Sequence, residues 1–176
     1  MAADRPRAAQ AYRDLAPAVL GYLRALRVRE PEDVLGEVFV QVVRDIGRFR
    51  GDDAALRRWV FSIAHNRVMD AHRRFRRRPP PMLEPIVDTG EAPPPHDPFA
   101  PELIAALAAL TLDQREVVVL RFVADLSLEA VARITGRTVG AVKVLQHRAI
   151  EILYTRFPLT QLGMEHRGGR AERDRP

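Results

Sequence analysis

The sequence predicts an all-α protein, two small helical domains joined by a Pro-rich linker, and three observations carry that prediction. Apolar residues recur at spacings of three and four in two blocks, 5–78 and 102–157. Neither block shows the alternation of a half-buried strand, and no internal repeat is found. Nine of the 14 prolines fall between Pro79 and Pro101. Proline removes backbone donors and turns the preceding residue away from helix, so 79–101 is expected to be extended chain. The polar stretch 158–176 is expected to be a disordered tail.

The first block reads as four helical segments. Tyr12, Leu15, Val19, Leu20, Leu23 and Leu26 give the helical spacing, with a break or kink expected at Pro17. Pro31 suits the first turn of a further helix, and Glu32 and Asp33 suit its positive end. There Val34, Leu35, Val38, Phe39, Val42, Val43 and Ile46 form one apolar stripe opposite Glu37, Gln41, Arg44 and Asp45. Residues 47–55, GRFRGDDAA, read as a loop, and a long helix is expected from about Leu56 to Arg76.

The second block opens with a short helix, Leu103 to Leu110. Thr111 and Gln114 form a capping-box pattern for a helix running through Phe122. Ser127 can cap a third helix whose Leu128, Val131 and Ile134 face inward. Gly136 marks a tight turn, and Thr138 can cap the last helix. On that helix Val142, Leu145, Ala149, Ile152 and Leu153 share one face, and Gly140, Lys143, Val144 and His147 another.

Composition narrows the function. The absence of cysteine removes disulfides, thiolate metal sites and cysteine nucleophiles. No apolar run approaches the roughly 18 residues of a membrane span, and the first 17 residues lack the apolar core of a secretion signal. A cytoplasmic protein is expected. Of 28 basic residues only Lys143 is lysine, and Arg73, Arg74, Arg76, Arg77 and Arg78 fill five of six positions. Arginine's planar fork of donors suits phosphates and guanine edges, so nucleic acid or an acidic protein surface is the natural partner.

Two short helices around a glycine turn, SLEAVARITGRTVGAVKVLQHRAIEIL, form the pattern of a helix-turn-helix. The second helix of such a pair fits the major groove, and the residues near its N-terminus meet base edges. Gly140 and Ala141 allow close approach there. Arg137, Thr138, Lys143, His147 and Arg148 can supply contacts.

Residues LDQREVVVLRFVADLSLEAVARITGRTVGAVKVLQHRAIEIL resemble the C-terminal DNA-binding domain (domain 4) of bacterial sigma factors, and the first block resembles their domain 2. Two such domains with a short linker resemble the extracytoplasmic-function (ECF) group. The resemblance implies a protein without catalytic residues, cofactor or metal. It further implies binding to RNA polymerase core (β and β′ subunits), to double-stranded and melted promoter DNA, and to an anti-sigma factor. EPEDVLGEVFVQVVRDIGRF is similar to the helix that docks on the polymerase. Where the family often reads Asp-Leu-Val-Gln-Glu-Thr-Phe, this chain has Asp33-Val34-Leu35-Gly36-Glu37-Val38-Phe39. Gly36 replaces the glutamine, leaving Asp33, Glu37 and Gln41 as polymerase-binding candidates.

LRRWVFSIAHNRVMDAHRR resembles the helix that engages the promoter's −10 element, its Leu56-to-Asn66 run matching Phe-Arg-x-Trp-Leu-x-x-Ile-Ala-x-Asn. Opening DNA takes bases out of the stack, and polar pockets and stacking surfaces offset that loss. Asn66 and residues 47–55 are the candidates for an extruded base. Ser62 and His65 join the −10 set, with Arg58, Arg67, Arg73 and Arg74 on phosphates. Trp59 and Phe61 are expected in the core. In the last helix, where the family shows Val-Lys-Ser-Arg-Leu-His-Arg-Ala, this chain has Val142-Lys143-Val144-Leu145-Gln146-His147-Arg148-Ala149. The resulting −35 set is Arg137, Thr138, Gly140, Lys143, Val144, His147 and Arg148, with Val144 suited to a thymine methyl.

At about 3.1 Å per residue, the 23 residues of 79–101 reach at most about 70 Å. Elements one and a half DNA turns apart, roughly 50–55 Å, lie within that span. The alternatives are a helix-turn-helix regulator whose first block senses or dimerises, and a nucleic-acid enzyme with Asp52, Asp53 and Asp70 as metal ligands. No phosphoacceptor, ligand or convergent metal motif supports either.

Overall fold

A computed structural model describes residues 4–77 and 101–156, with side chains described over 5–74 and 105–156. The described residues are helical throughout apart from turns. The stretches expected to be an extended linker and a disordered tail lie outside them, apart from Pro101, which opens a helix. The guanidinium groups of Arg76, Arg77 and Arg78 lie outside the described side chains too.

Helix α1 spans Asp4–Ala25 and runs through Pro17 without a break. A mid-helix proline costs about 3 kcal/mol in isolation. Here Pro17 faces solvent, while Leu15, Ala16, Val19, Tyr22 and Leu23 are buried along the opposite side. Tertiary burial on both flanks of the proline outweighs the lost hydrogen bond, so the expected interruption is absent.

Helix α2, Pro31–Asp45, starts with proline in its first turn and Glu32 and Asp33 beside it, as the sequence predicts. Arg24 of α1 donates to Glu32 at 2.8 Å, and this hydrogen bond holds the carboxyl below its ordinary range. Leu35, Val38, Phe39 and Val42 are buried. Val43, expected in the stripe, is exposed together with Val40. Among the described residues α2 packs mainly on α1 and α3, so its buried face is narrower than its apolar face.

A 3₁₀ turn, Ile46–Arg48, leads to α3, Asp53–Arg77. This helix begins three residues earlier than expected, because Asp52 Oδ1 accepts the Ala55 N–H at 2.8 Å and caps it. Gly51 sits at φ +151°, and a Cβ there would lie 2.9 Å from the Ala55 Cβ and 3.1 Å from the Phe49 ring. Only glycine fits this corner.

The second block folds as α4, Pro101–Ala108, then α5, Leu112–Val118, which continues into a π-turn, Val119–Val123. The Thr111–Gln114 capping box forms in both directions, at 3.3 and 3.0 Å. Helix α6, Leu128–Thr135, is capped by Ser127. It ends on Gly136 at φ +66°, the left-handed conformation glycine adopts without strain. Helix α7, Val139–Arg156, starts from Thr138, whose hydroxyl accepts the Ala141 N–H at 3.1 Å.

The two blocks share one continuous core. Val19, Tyr22, Leu23, Val60 and Phe61 of the first join Val117, Val119, Leu120, Val131 and Val142 of the second. Helix α1 packs on α5 and the π-turn, and α3 packs on α6.

Gly36 lies inside α2 on its exposed side, and a Cβ at this position would meet nothing within 4 Å. Gly36→Ala should therefore stabilise the chain by about 1 kcal/mol and raise the melting temperature by about 2–4 °C. An unchanged or lowered melting temperature in a calorimetric scan would contradict this placement.

Candidate nucleic-acid and polymerase interfaces

Helix α7 presents Gly140, Lys143, Val144, His147 and Arg148 as one exposed stripe. Spacings of three and four put them on one side of the helix, while Val142 and Ala149 are fully buried on the other. Two contacts fix α7 on its supports. Arg137 Nη2 pairs with Asp113 Oδ1 of α5 at 2.8 Å, and Arg121 Nε of the π-turn donates to Gln146 Oε1 at 3.2 Å. Arg137 and Thr138 are thus committed to positioning, the first as a brace and the second as a cap. His147 Nε2 lies 3.4 Å from Glu151 Oε1 on the same helix.

The α3 candidates do not form one cluster. Arg67 reaches back to α2, donating to Gln41 Oε1 at 3.1 Å and lying 3.6 Å from Glu37 Oε2. It ties a −10 candidate to two polymerase candidates, and Asp33 is exposed near the start of α2. Arg73 and Arg74 are exposed, with Arg73 3.8 Å from Asp70. Asn66 is exposed on the middle of the helix, and Arg58 and Ser62 line a cavity of about 350 Å³ at its start.

That cavity takes its first wall from Phe49, Arg50, Ala55 and Trp59. Trp59 stacks on Phe49 with ring centroids 5.2 Å apart and planes 22° apart. Arg7 lies over Phe49, 5.2 Å from its centroid, and donates to the Gly51 carbonyl at 3.2 Å. Trp59 packs partly against the core, whereas Phe61 is fully buried. Ser62 turns its hydroxyl to the Trp59 carbonyl at 2.6 Å. The second wall comes from α6, through Arg133 and Ile134.

His65 does not stand open to solvent. Its Nδ1 lies 2.8 Å from Glu116 Oε1 of α5, and Tyr22 donates to the same oxygen at 3.0 Å. An ionised carboxylate only accepts, so Nδ1 carries the proton in this contact. Next to Glu116, Arg115 donates to the carbonyls of Leu107 (2.7 Å), Leu110 (3.0 Å) and Ala25 (3.2 Å). It reaches carbonyls at the ends of α4 and α1, where helix geometry leaves acceptors over, although that of Leu107 also accepts the Leu110 N–H at 3.2 Å. Sequence reasoning missed Tyr22, Arg115 and Glu116. The available signal was two adjacent charges, Arg115-Glu116, directly before an apolar run.

Among the described residues, no three His, Asp or Glu side chains converge to hold a metal ion. Asp52 is occupied as a cap. No described helix is long and apolar enough to cross a membrane.

Burial, and then the neighbouring Glu116 charge, push the Tyr22 phenol well above its ordinary value of 10.0. Its folded value exceeds the unfolded one, so its contribution to stability is present below about pH 10 and lost as pH rises further. In an alkaline titration followed by tyrosinate absorbance, Tyr22→Phe should remove the latest-rising step. An unchanged trace would place Tyr22 outside this network.

Residues 11–78 match the Sigma-70 region 2 family model, and residues 101–153 match that of Sigma-70, region 4. The chain is 32% identical to the ECF RNA polymerase sigma factor ShbA of Streptomyces griseus over 167 residues, 82% of this chain and 86% of that one. It is also 32% identical to the ECF RNA polymerase sigma factor BldN of Streptomyces coelicolor over 133 residues, 72% of this chain but half the length of BldN. Among solved structures, the sigma factor RpoE of Bartonella quintana, in complex with the anti-sigma factor NepR, superposes with a TM-score of 0.62. The identity is 22%, over 83% of this chain and 93% of RpoE.

Proposed function

Because the chain belongs to the ECF family of RNA polymerase sigma factors, which direct promoter-specific transcription initiation, we propose how its two blocks divide that task. Residues 5–78 act as domain 2, binding core polymerase and the −10 element. Residues 102–157 act as domain 4 on the −35 element, and 79–101 tether the two. The observation that carries this division is the capped, braced helix α7 with its exposed stripe. A helix held at its N-terminus by the Gly136 turn projects those side chains together, as groove insertion requires.

On α7, Lys143 and Arg148 take phosphates or guanine edges, Val144 meets a thymine methyl, and Gly140 lets the backbone approach. Arg137 and Thr138 hold the helix. On α3, Arg58, Ser62 and Asn66 line the path of an extruded base beside the Phe49–Trp59 stack, and Arg73 and Arg74 follow the backbone. Asp33, Glu37 and Gln41 face the polymerase, with Arg67 fixing the latter two. Binding through both domains on one polymerase raises the effective concentration of each reader for its element. RpoE is held by an anti-sigma factor in its solved complex, and the same kind of inhibitor is assigned to this chain. The working site is the cytoplasm, on nucleoid DNA, and the chain performs no chemistry itself.

Lys143→Ala and Arg148→Ala should each weaken promoter binding by the holoenzyme roughly 5- to 150-fold, the range of about 1–3 kcal/mol for a lost groove contact. Their affinity for core polymerase should not change. Asp33→Arg, which leaves the Arg67 contacts intact, should do the reverse, weakening core binding without altering the DNA contacts. Equal losses in both assays for either class would refute the assigned roles.

A further inference from the structure

Arg7 is exposed, and the roles above leave it unused, yet its guanidinium is spent on one corner of the chain 42 and 44 residues away in sequence. It projects from the start of α1, where Ala8 and Ala11 are buried and anchor the helix. Nη2 donates to the Gly51 carbonyl at 3.2 Å and Nη1 to that of Phe49 at 3.5 Å. The guanidinium carbon lies 5.2 Å from the centroid of the Phe49 ring, which stacks in turn on Trp59 of α3. From inside the corner, Arg50 donates to the Gly47 and Phe49 carbonyls, both at 2.9 Å. Residues 49–52 lie between helices, so their carbonyls take side-chain donors in place of a helical ladder.

A surface that receives an extruded base binds it best when its shape exists beforehand, because ordering a loop on contact costs affinity. Arg7 supplies that order. Its planar fork can lie on a ring and donate to two carbonyls at once, which the compact ammonium of lysine cannot. We propose that Arg7 is a positioning residue for reading the −10 element, holding Phe49 on Trp59 and the 49–51 backbone in the shape that meets the extruded base. It acts through Phe49 and Gly51 and needs no contact with DNA. This role rests on the −10 assignment of residues 47–55, Arg58, Ser62 and Asn66 given above, and it adds the start of α1 to the parts that set promoter choice.

The test uses holoenzyme assembled from the full chain and core polymerase, with a promoter that it transcribes from genomic DNA. A library of that promoter carries randomised −10 and −35 elements, and sequencing the templates held in heparin-resistant open complexes gives the base preference at each position. Arg7→Ala and Arg7→Lys should each flatten the preference at the most selective −10 position about fivefold or more, the low end of what one stacked base contributes. Preference in the −35 element and affinity for core polymerase should stay as in the wild-type chain. Circular dichroism checks that both variants are helical. A merely structural role would lower the yield of complexes and leave the choice of −10 bases as it was.

Wild-type −10 preference in both variants, at any yield, would overturn the positioning role, provided that Arg58→Ala or Asn66→Ala flattens it. Flattening by Arg7→Ala but not by Arg7→Lys would overturn it as well, since charge alone would then suffice. Equal flattening in the −35 element would do the same. If the variants at Arg7, Arg58 and Asn66 all keep the wild-type preference, the failure lies in the −10 assignment, and the positioning role falls with it.

Discussion

A carboxylate withdrawn from water is tolerable only where donors surround it, and Glu116 sets that constraint for this molecule. Its partners Tyr22 and His65 lie 94 and 51 residues away in sequence. Meeting them fixes α5 against α1 and α3 at one register. Arg115 applies the same logic with opposite sign, its guanidinium answering carbonyls on both sides of the contact. Replacing one member of such a buried set typically costs about 3–5 kcal/mol. The surrounding apolar burial gives attraction without direction, whereas these few polar bonds choose the geometry.

The surfaces we propose for reading DNA inherit their precision from similar devices at smaller scale. Helix α7 cannot rotate freely, because Thr138 caps it, Arg137 braces the turn before it to Asp113, and Arg121 holds Gln146. On α3 the Phe49–Trp59 stack is clamped from above by Arg7, and Gly51 permits the corner that brings Phe49 there. Several arginines are therefore structural. Arg7, Arg67, Arg115, Arg121 and Arg137 each hold two elements together, whereas Arg73, Arg74 and Arg148, for which we propose phosphate contacts, are exposed.

Much of this was legible in the sequence because its determinants are local. The Thr111–Gln114 box, the Ser127 and Thr138 caps, Pro31 at a helix start and Gly136 in a left-handed turn depend on neighbours within a few residues. Helix periodicity placed Val131, Val142 and Ala149 correctly in the core. The failures are non-local. Pro17 does not interrupt α1, because packing on both sides of it decides the matter. Val43 is exposed because no described residue covers that side of α2. His65 and Arg67 were −10 candidates on their helix alone, and only the folded chain shows Glu116 beside one and Gln41 with Glu37 beside the other. Contacts between residues some 25 to 50 positions apart leave no periodic trace.

A helical protein that gives RNA polymerase its choice of promoter must do so with nothing added but core enzyme and DNA. The most direct measurement adds the purified chain to sigma-free core polymerase on genomic DNA and maps the transcript starts. Discrete starts preceded by a shared pair of sequence elements are expected, absent when either core or chain is omitted. Transcripts only when another sigma factor is supplied, or none with core alone, would contradict that role and make the chain a regulator instead.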